Sequence, residues 1–404
     1  MRFFKKILPP FCFFFHFSFY AQISGCTDPL ATNFNSLATL NDGSCLYSAS
    51  SITPYSSYSI SDSIIETSGL IFWNGNLFTH NDNTDKLLYQ LDTLSGVKIN
   101  TINLTVRNID WEEVSQDANY IYVGDFGNNA GNRTNLKIFR FNKAALLQNN
   151  IIVDSIQFSY SNQVNFNPPP NSTDFDCEAF IVGSDSIYLF TKQWGSNNTS
   201  FYSLSKNPGT YTANLRGTIN VQGLITGAVQ IENKSAIVLC GYNNTLQPFL
   251  FLLYDYTGNN FGSGNKRKLN LNLPFHQIEG IAYTGGERFI VTNEKFVNGP
   301  INTSQKIHKL NLNNFLNNYL TTSYLERSFR NNQVNIYPNP ANEHFCILGA
   351  NPSFLEIIDL NGKVVKFIAG PFDSISTSDI QPGIYFLKIV EGQTQRQLKL
   401  LILH

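Results

Sequence analysis

Between residues 50 and 327 one pattern returns five times: an apolar strand opened by polar residues, a second strand that ends in polar residues, then a third. The copies open at ETSGLIFW (66–73), DWEEVSQ (110–116), DCEAFIV (176–182), LITGAVQI (224–231) and QIEGIAY (277–283). Second strands such as YIYVGDFGNN (120–129) and SIYLFTKQWG (186–195) follow, then third strands such as LKIFRFN (136–142) and FLFLLYDY (249–256). Segments such as IVDSIQFSY (152–160) supply a fourth. Four strands in roughly forty to sixty residues is the size of a β-propeller blade. A β-helix is the runner-up, though its turns would be shorter and more regular than these. Five copies, with flanking strands at 50–61 and 321–329, imply an all-β chain built on a five- or six-bladed β-propeller.

Composition supports an all-β, extracellular type of chain. Only 14% of residues are charged, against the usual quarter, and Asn, Ser and Thr carry the polarity. The formal charge of -1 offers no electrostatic reason to bind nucleic acid or an anionic membrane. Helical periodicity is confined to two short segments, 143–150 and 313–319.

Aligning the copies puts polar residues at matching places: Glu66 and Ser68, Asp110 and Glu112, Asp176 and Glu178, Leu224 and Thr226, Gln277 and Glu279. Residues two apart on a strand share a face, and the first strand of each propeller blade lines the central channel. Asp110, Glu112, Asp176, Glu178 and Glu279 are therefore candidates to converge there. Carboxylates so gathered repel unless a cation neutralises them or some stay protonated. One reading is a divalent site, with Ca²⁺ the expected ion. The other is that they bond backbone N–H groups of neighbouring blades and hold the ring closed. Asn81, Asp82, Asp125, Asn128, Asn129, Asn293 and Glu294, at the ends of second strands, lie where binding loops often occur. This stretch of the chain resembles the phytase-like and gluconolactonase/strictosidine-synthase-like propellers. The resemblance implies a divalent ion, often Ca²⁺, held in the channel.

Other chemistry lacks its signature. His80, His276 and His308 occur singly, with no HExxH; there is no CxxC, GxSxG or P-loop pattern. Trp73, Trp111 and Trp194 fit either packing between blades or stacking on a sugar.

The two ends speak to export. Residues 1–21 carry Arg2, Lys5 and Lys6 before a Phe-rich run and end on Ala21, as a secretory signal peptide does. No later stretch is long and apolar enough to span a membrane, so no transmembrane segment is expected in the mature protein. Residues 22–49 form a small module bracketed by Cys26 and Cys45, which an oxidising compartment is expected to bridge. Of the other cysteines, Cys12 leaves with the signal peptide, and Cys177, Cys240 and Cys346 are expected as buried thiols. The segment GCTDPLATNFNSLATLNDGSC (25–45) resembles an Asp/Asn-rich module found beside sorting domains in exported Bacteroidetes proteins. Asp28, Asn41 and Asp42, with Asn33 and Asn35, are candidate Ca²⁺ ligands there; turn formation is the other reading.

Residues 328–404 alternate apolar and polar residues over several short strands, as a small β-sandwich would. VNIYPNP (334–340), LEIIDLNGKVV (355–365) and ISTSDIQPGIYFLKI (375–389) together resemble the C-terminal sorting domain of the type IX (Por) secretion system of Bacteroidetes. The motif residues are Tyr337, Pro338, Asn339, Pro340, Gly362, Gly383 and Tyr385. Asn361-Gly362 reads as a hairpin turn of the kind that tolerates positive φ at both central residues. The resemblance implies export to the periplasm, recognition of this domain by the type IX machinery, and release or attachment at the outer surface. The function expected is binding of an extracellular glycan, polymer or protein. A calcium-dependent hydrolase of phosphoesters or lactones and a structural or adhesive surface component are the alternatives.

Overall fold

The computed structural model describes residues 22–82, 85–169, 171–231, 234–320, 335–337, 339–348, 354–369, 375–391 and 394–403. The expected signal peptide, Pro338 and the expected strand at 321–329 lie outside them, as does the side chain of Cys346. The chain divides into two compact units, residues 1–320 and 321–404.

The first unit is a five-bladed propeller. Blade one is Thr67–Trp73, Asn76–Asn81, Leu87–Leu91 and Lys98–Asn103; blade two is Trp111–Gln116, Tyr120–Asp125, Lys137–Asn142 and Val153–Tyr160. Blade three is Asp176–Val182, Ser186–Lys192, Thr199–Ser205 and Gly209–Ile219; blade four is Leu224–Gln230, Ala236–Tyr242, Pro248–Tyr254 and Asn265–Leu271. Blade five has Ile278–Gly285, Arg288–Asn293 and Lys306–Asn311. The innermost strands pack in cyclic order, the fifth against the first. The flanking strands near residue 50 do not build a sixth blade. Ser56–Ser59 is instead the outermost strand of blade five, antiparallel to Lys306–Asn311, and Ser50–Ile52 joins blade four in parallel. Closing the last blade with a strand from the chain's other end ties the ring shut.

Burial explains why the strands read as they do. Inner and middle strands are covered on both sides by neighbouring blades, so Ala236–Tyr242 (AIVLCGY) is apolar throughout and buried at every position. Five apolar clusters fill the spaces between successive blades. Trp111 is wholly buried between blades one and two, with Trp73 packed against the same cluster. Fourth strands face solvent and alternate, as in Val153–Tyr160. Both expected helices form, at Lys143–Leu146 and Asn313–Leu320.

Cys26 and Cys45 are bridged, while Cys177 and Cys240 are buried free thiols. The bridged module docks on blade four. Asp28 accepts hydrogen bonds from the hydroxyls of Tyr47 and Tyr254, each at 2.7 Å, and Asn41 donates to Asp255 at 2.8 Å.

The second unit is a sandwich of a three-stranded sheet (Asn335–Tyr337, His344–Leu348, Ile375–Ser376) and a four-stranded sheet (Val364–Ala369, Phe354–Ile358, Gly383–Glu391, Thr394–Ile402). Phe345, Leu355, Leu387 and Leu400 are among the residues between them. At the Asn361-Gly362 turn only Gly362 takes positive φ, at 83°. Asp359 causes this, because its carboxylate accepts from the N–H groups of Asn361 and Lys363 and draws the turn into a longer loop. Tyr385 closes the turn before Gly383–Glu391 by donating its hydroxyl to Gln381 O at 2.7 Å.

Asn339 has a structural task. Its amide donates to Lys399 O at 2.8 Å and accepts from Leu401 N at 2.9 Å, pinning the domain's first motif to its last strand. Asn339→Ala should loosen that strand by about 1–2 kcal/mol. Hydrogen exchange should show faster exchange at Leu401 with propeller amides unchanged.

Candidate functional site

A β-bulge recurs at the same point of every innermost strand. In blade two, Trp111 pairs with Asp125 and Glu113 with Gly124, leaving Glu112 outside the ladder. Glu178, Thr226 and Glu279 are skipped in the same way in blades three, four and five. In blade one Gly69 and Leu70 lie between the paired Ser68 and Ile71, with Thr79 opposite. A bulge re-aims the extra residue. The two D-x-E pairs therefore differ: Asp110 and Glu112 both reach the same cavity, whereas Asp176 turns into the wall and Glu178 faces the cavity.

Some of these side chains close the ring. Asp176, fully buried, accepts from the N–H of Asn128 at 2.6 Å and from Trp194 Nε1 at 2.8 Å. Ser68 donates its hydroxyl to Glu112 O across the next blade boundary, and Thr226 does the same to Ile278 O. Asp125 accepts from the N–H of Asp110 and from Arg133, whose guanidinium lies 2.8 Å away. Deeper still is Glu113, whose carboxyl accepts from Val114 N at 2.9 Å and, from blade four, Ala228 N at 3.0 Å. Alignment of the repeat does not point to Glu113, which lies next to a better candidate.

The others face a cavity of about 200 Å³ at the channel mouth. Asp110, Glu112, Glu178 and Glu279 line it, and the second-strand ends add Asp82, Asn129 and Glu294. Glu112 and Glu279 are each only 6% exposed, yet neither carboxyl has a hydrogen-bond partner among the described residues. Asp82 Oδ1 is likewise unpartnered. Crowding at Glu112 needs Gly127, where a Cβ would lie 2.1 Å from Glu112 Oε1.

Two cations among the described residues answer these acids from within the fold: Arg133, whose Nη1 lies 3.9 Å from Asp110 Oδ2, and Lys192. Lys192, at the end of blade three's second strand, donates to Glu178 Oε1 at 2.9 Å and lies over the rings of Trp194 and Tyr242, 4.8 and 5.5 Å from their centroids. Burial pulls its pKa down, but Glu178 foremost and the surrounding groups push it well above the ordinary value. Its charge cannot balance the whole ring. Burial first, then neighbouring carboxyls, pushes Glu112 far up; Glu279 is raised too, again chiefly by burial. Asp82 is pushed up to about 8 by burial and by Glu66 and Glu294; Glu294 reaches about 7, mainly through burial.

Among the described residues, no three His, Cys, Asp or Glu side chains are gathered closely enough to hold one metal ion. Within the N-terminal module, Asp28 and Asn41 are occupied in docking to blade four, and Asp42 accepts from Ser24 and Ser44. Asn33 and Asn35 make local bonds to main-chain groups. His80 and His308 are buried inside blades one and five, and burial lowers them to about 4 and about 3.

Residues 335–403 match the secretion system C-terminal sorting domain. The match supports export by the type IX secretion system, and with it a secreted or cell-surface location. Comparison with curated proteins finds no sequence relative. Among solved structures, the chain is similar to the crystal structure of RRP9 WD40 repeats, at 8% identity and TM-score 0.35, covering 65% of this chain and 100% of that one. Among the described residues, no helix is long and apolar enough to cross a membrane.

The raised acids carry a pH dependence. Asp82 and Glu294 hold protons when folded that the unfolded chain has already lost, so their contribution is complete below their ordinary values of 3.8 and 4.5 and is lost as pH rises through about 8 and about 7. His80 and His308 act oppositely, but only below their ordinary 6.5. The melting temperature should therefore fall between about pH 6.5 and about pH 8.5. Calorimetry should show the fall, and the Asp82→Asn/Glu294→Gln variant should make it shallower, the remainder being carried by the other raised carboxyls, Glu112 and Glu279 among them.

Proposed function

We propose that the protein is an exported propeller that binds an extracellular glycan, polymer or protein, with the contact made at the channel mouth. The observation that carries this reading is the pair Glu112 and Glu279, nine-tenths buried and facing the cavity without a partner. Ring closure uses Asp176, Ser68 and Thr226, so it does not account for these two carboxyls. Burial pushes both carboxyls well above their ordinary pKa, and a ligand in the cavity that supplies donors to them offsets the cost of ionising them there.

The second reading is a calcium-dependent hydrolase of phosphoesters or lactones. Glu294, near 7, and Asp82, near 8, have the values of a general acid at neutral pH. Calcium would require the carboxyls to move closer than they stand, since no three now share a point among the described residues. A melting curve raised by Ca²⁺ and lowered by chelator would favour this reading.

Two experiments test the proposal. In a host with type IX machinery, deletion of residues 334–404 should hold the protein in the periplasm; normal amounts in the medium would contradict the role given to the tail. The mature protein, applied to arrayed glycans and immobilised extracellular proteins, should bind at least one class, and the Glu112→Gln/Glu279→Gln variant should lose that binding without a lower melting temperature. Unchanged binding by the variant, or no binding to any probe, would overturn the channel-mouth assignment.

A further inference from the structure

The polar groups around the channel mouth are unequally used. Lys192 Nζ is paired with Glu178, Trp194 Nε1 is given to Asp176, and the Ser68 hydroxyl is given to Glu112 O. Acceptors remain among the described lining residues: Asp82 Oδ1, Gln277 Oε1 and the carboxyls of Glu112 and Glu279, which a bound cation would hold ionised against the upward push of burial. A cavity with acceptors to spare is complementary to a group that only donates. Ammonium and guanidinium groups do so; sugar hydroxyls both donate and accept.

Geometry narrows the choice further. The acceptors are distributed around the ring rather than drawn to one point, and no three acidic groups among the described residues can share a metal ion. A planar guanidinium, with five N–H donors, or an ammonium on a flexible stem can reach acceptors that one small ion cannot. The volume of about 200 Å³ is below the roughly 300–1,000 Å³ of most small-molecule sites, and suits a single side-chain-sized group. Trp194 and Tyr242 already flank the ammonium of Lys192, so the cavity wall holds an organic cation within the fold itself.

Building on the channel-mouth reading above, we infer that this cavity takes one organic cation, an alkylguanidinium or alkylammonium group, held by the carboxyls of Glu112 and Glu279. Two sources share this chemistry: a small free amine or guanidine, and an Arg or Lys side chain on a peptide or protein. Lys192–Glu178 forms the fixed wall, and the incoming group occupies the acceptors on the other blades.

Calorimetric titration of the mature protein tests this with argininamide, an acetylated peptide containing one Arg, the same peptide with citrulline, and CaCl₂. At least one arginine probe should bind at least ~10-fold more tightly than the citrulline peptide, the scale of one lost charge-assisted hydrogen bond. Glu112→Gln/Glu279→Gln should weaken that binding at least ~10-fold without lowering the melting temperature. Preference for the peptide over argininamide would identify a macromolecular source, and the reverse a free small cation. Equal binding of arginine and citrulline peptides, displacement of the arginine probe by stoichiometric Ca²⁺, or no binding of either cation would overturn the inference. A glycan or neutral peptide lost only in the double variant would keep the channel-mouth reading while removing the cation. Arginine binding unaffected by the double variant would remove both.

Discussion

Five innermost strands meet around one axis, and the carboxyl of Glu113 helps to join them. It sits fully buried on blade two and accepts main-chain N–H groups from its own strand and, through Ala228, from blade four. The space it needs is created at Gly69, with φ at 64°, where a Cβ would lie 2.8 Å from Glu113 Oε1. Burial pushes this carboxyl well above its ordinary pKa, while the N–H donors act against that shift. Without such a cross-channel acceptor, N–H groups at the axis would be buried without partners, which folded proteins rarely tolerate.

The bulges give this closure its second consequence. Each innermost strand reaches the axis with one or two residues outside the ladder, and the identity of those residues determines what the ring presents there. Thr226, with Ser68 beside the blade-one bulge, bonds the next blade and disappears into the wall. Glutamates at 112 and 279 leave carboxyls facing the cavity, and Glu178 finds Lys192. The same backbone device thus both closes the propeller and builds its polar mouth.

Much of this was readable in the sequence. Inner and middle strands are apolar on both faces and bounded by Asn, Gly and Asp, so the five copies and their convergence on a channel could be located from the pattern. The destinations of Ser50–Ile52 and Ser56–Ser59 could not, because their partners lie more than two hundred residues away in blades four and five. The bulges were hidden as well: pairing register leaves no mark in a segment such as DCEAFIV. Lys192, an internal counter-ion, reads as the polar end of an ordinary strand. Glu113 stands beside Glu112 in the sequence, and only the broken ladder shows that one staples the ring while the other faces the mouth.

The central claim is a division of labour among neighbouring acids, and urea unfolding of single variants tests it most directly. Glu113→Gln and Asp176→Asn should each lower stability by about 1–3 kcal/mol, because buried N–H donors lose a charged or well-placed acceptor. Glu112→Gln and Glu279→Gln should leave stability unchanged or raise it, because each removes an ionisable group that the fold leaves unpartnered. Equal losses for all four variants would contradict the account, since Glu112 and Glu279 would then serve closure as Glu113 and Asp176 do.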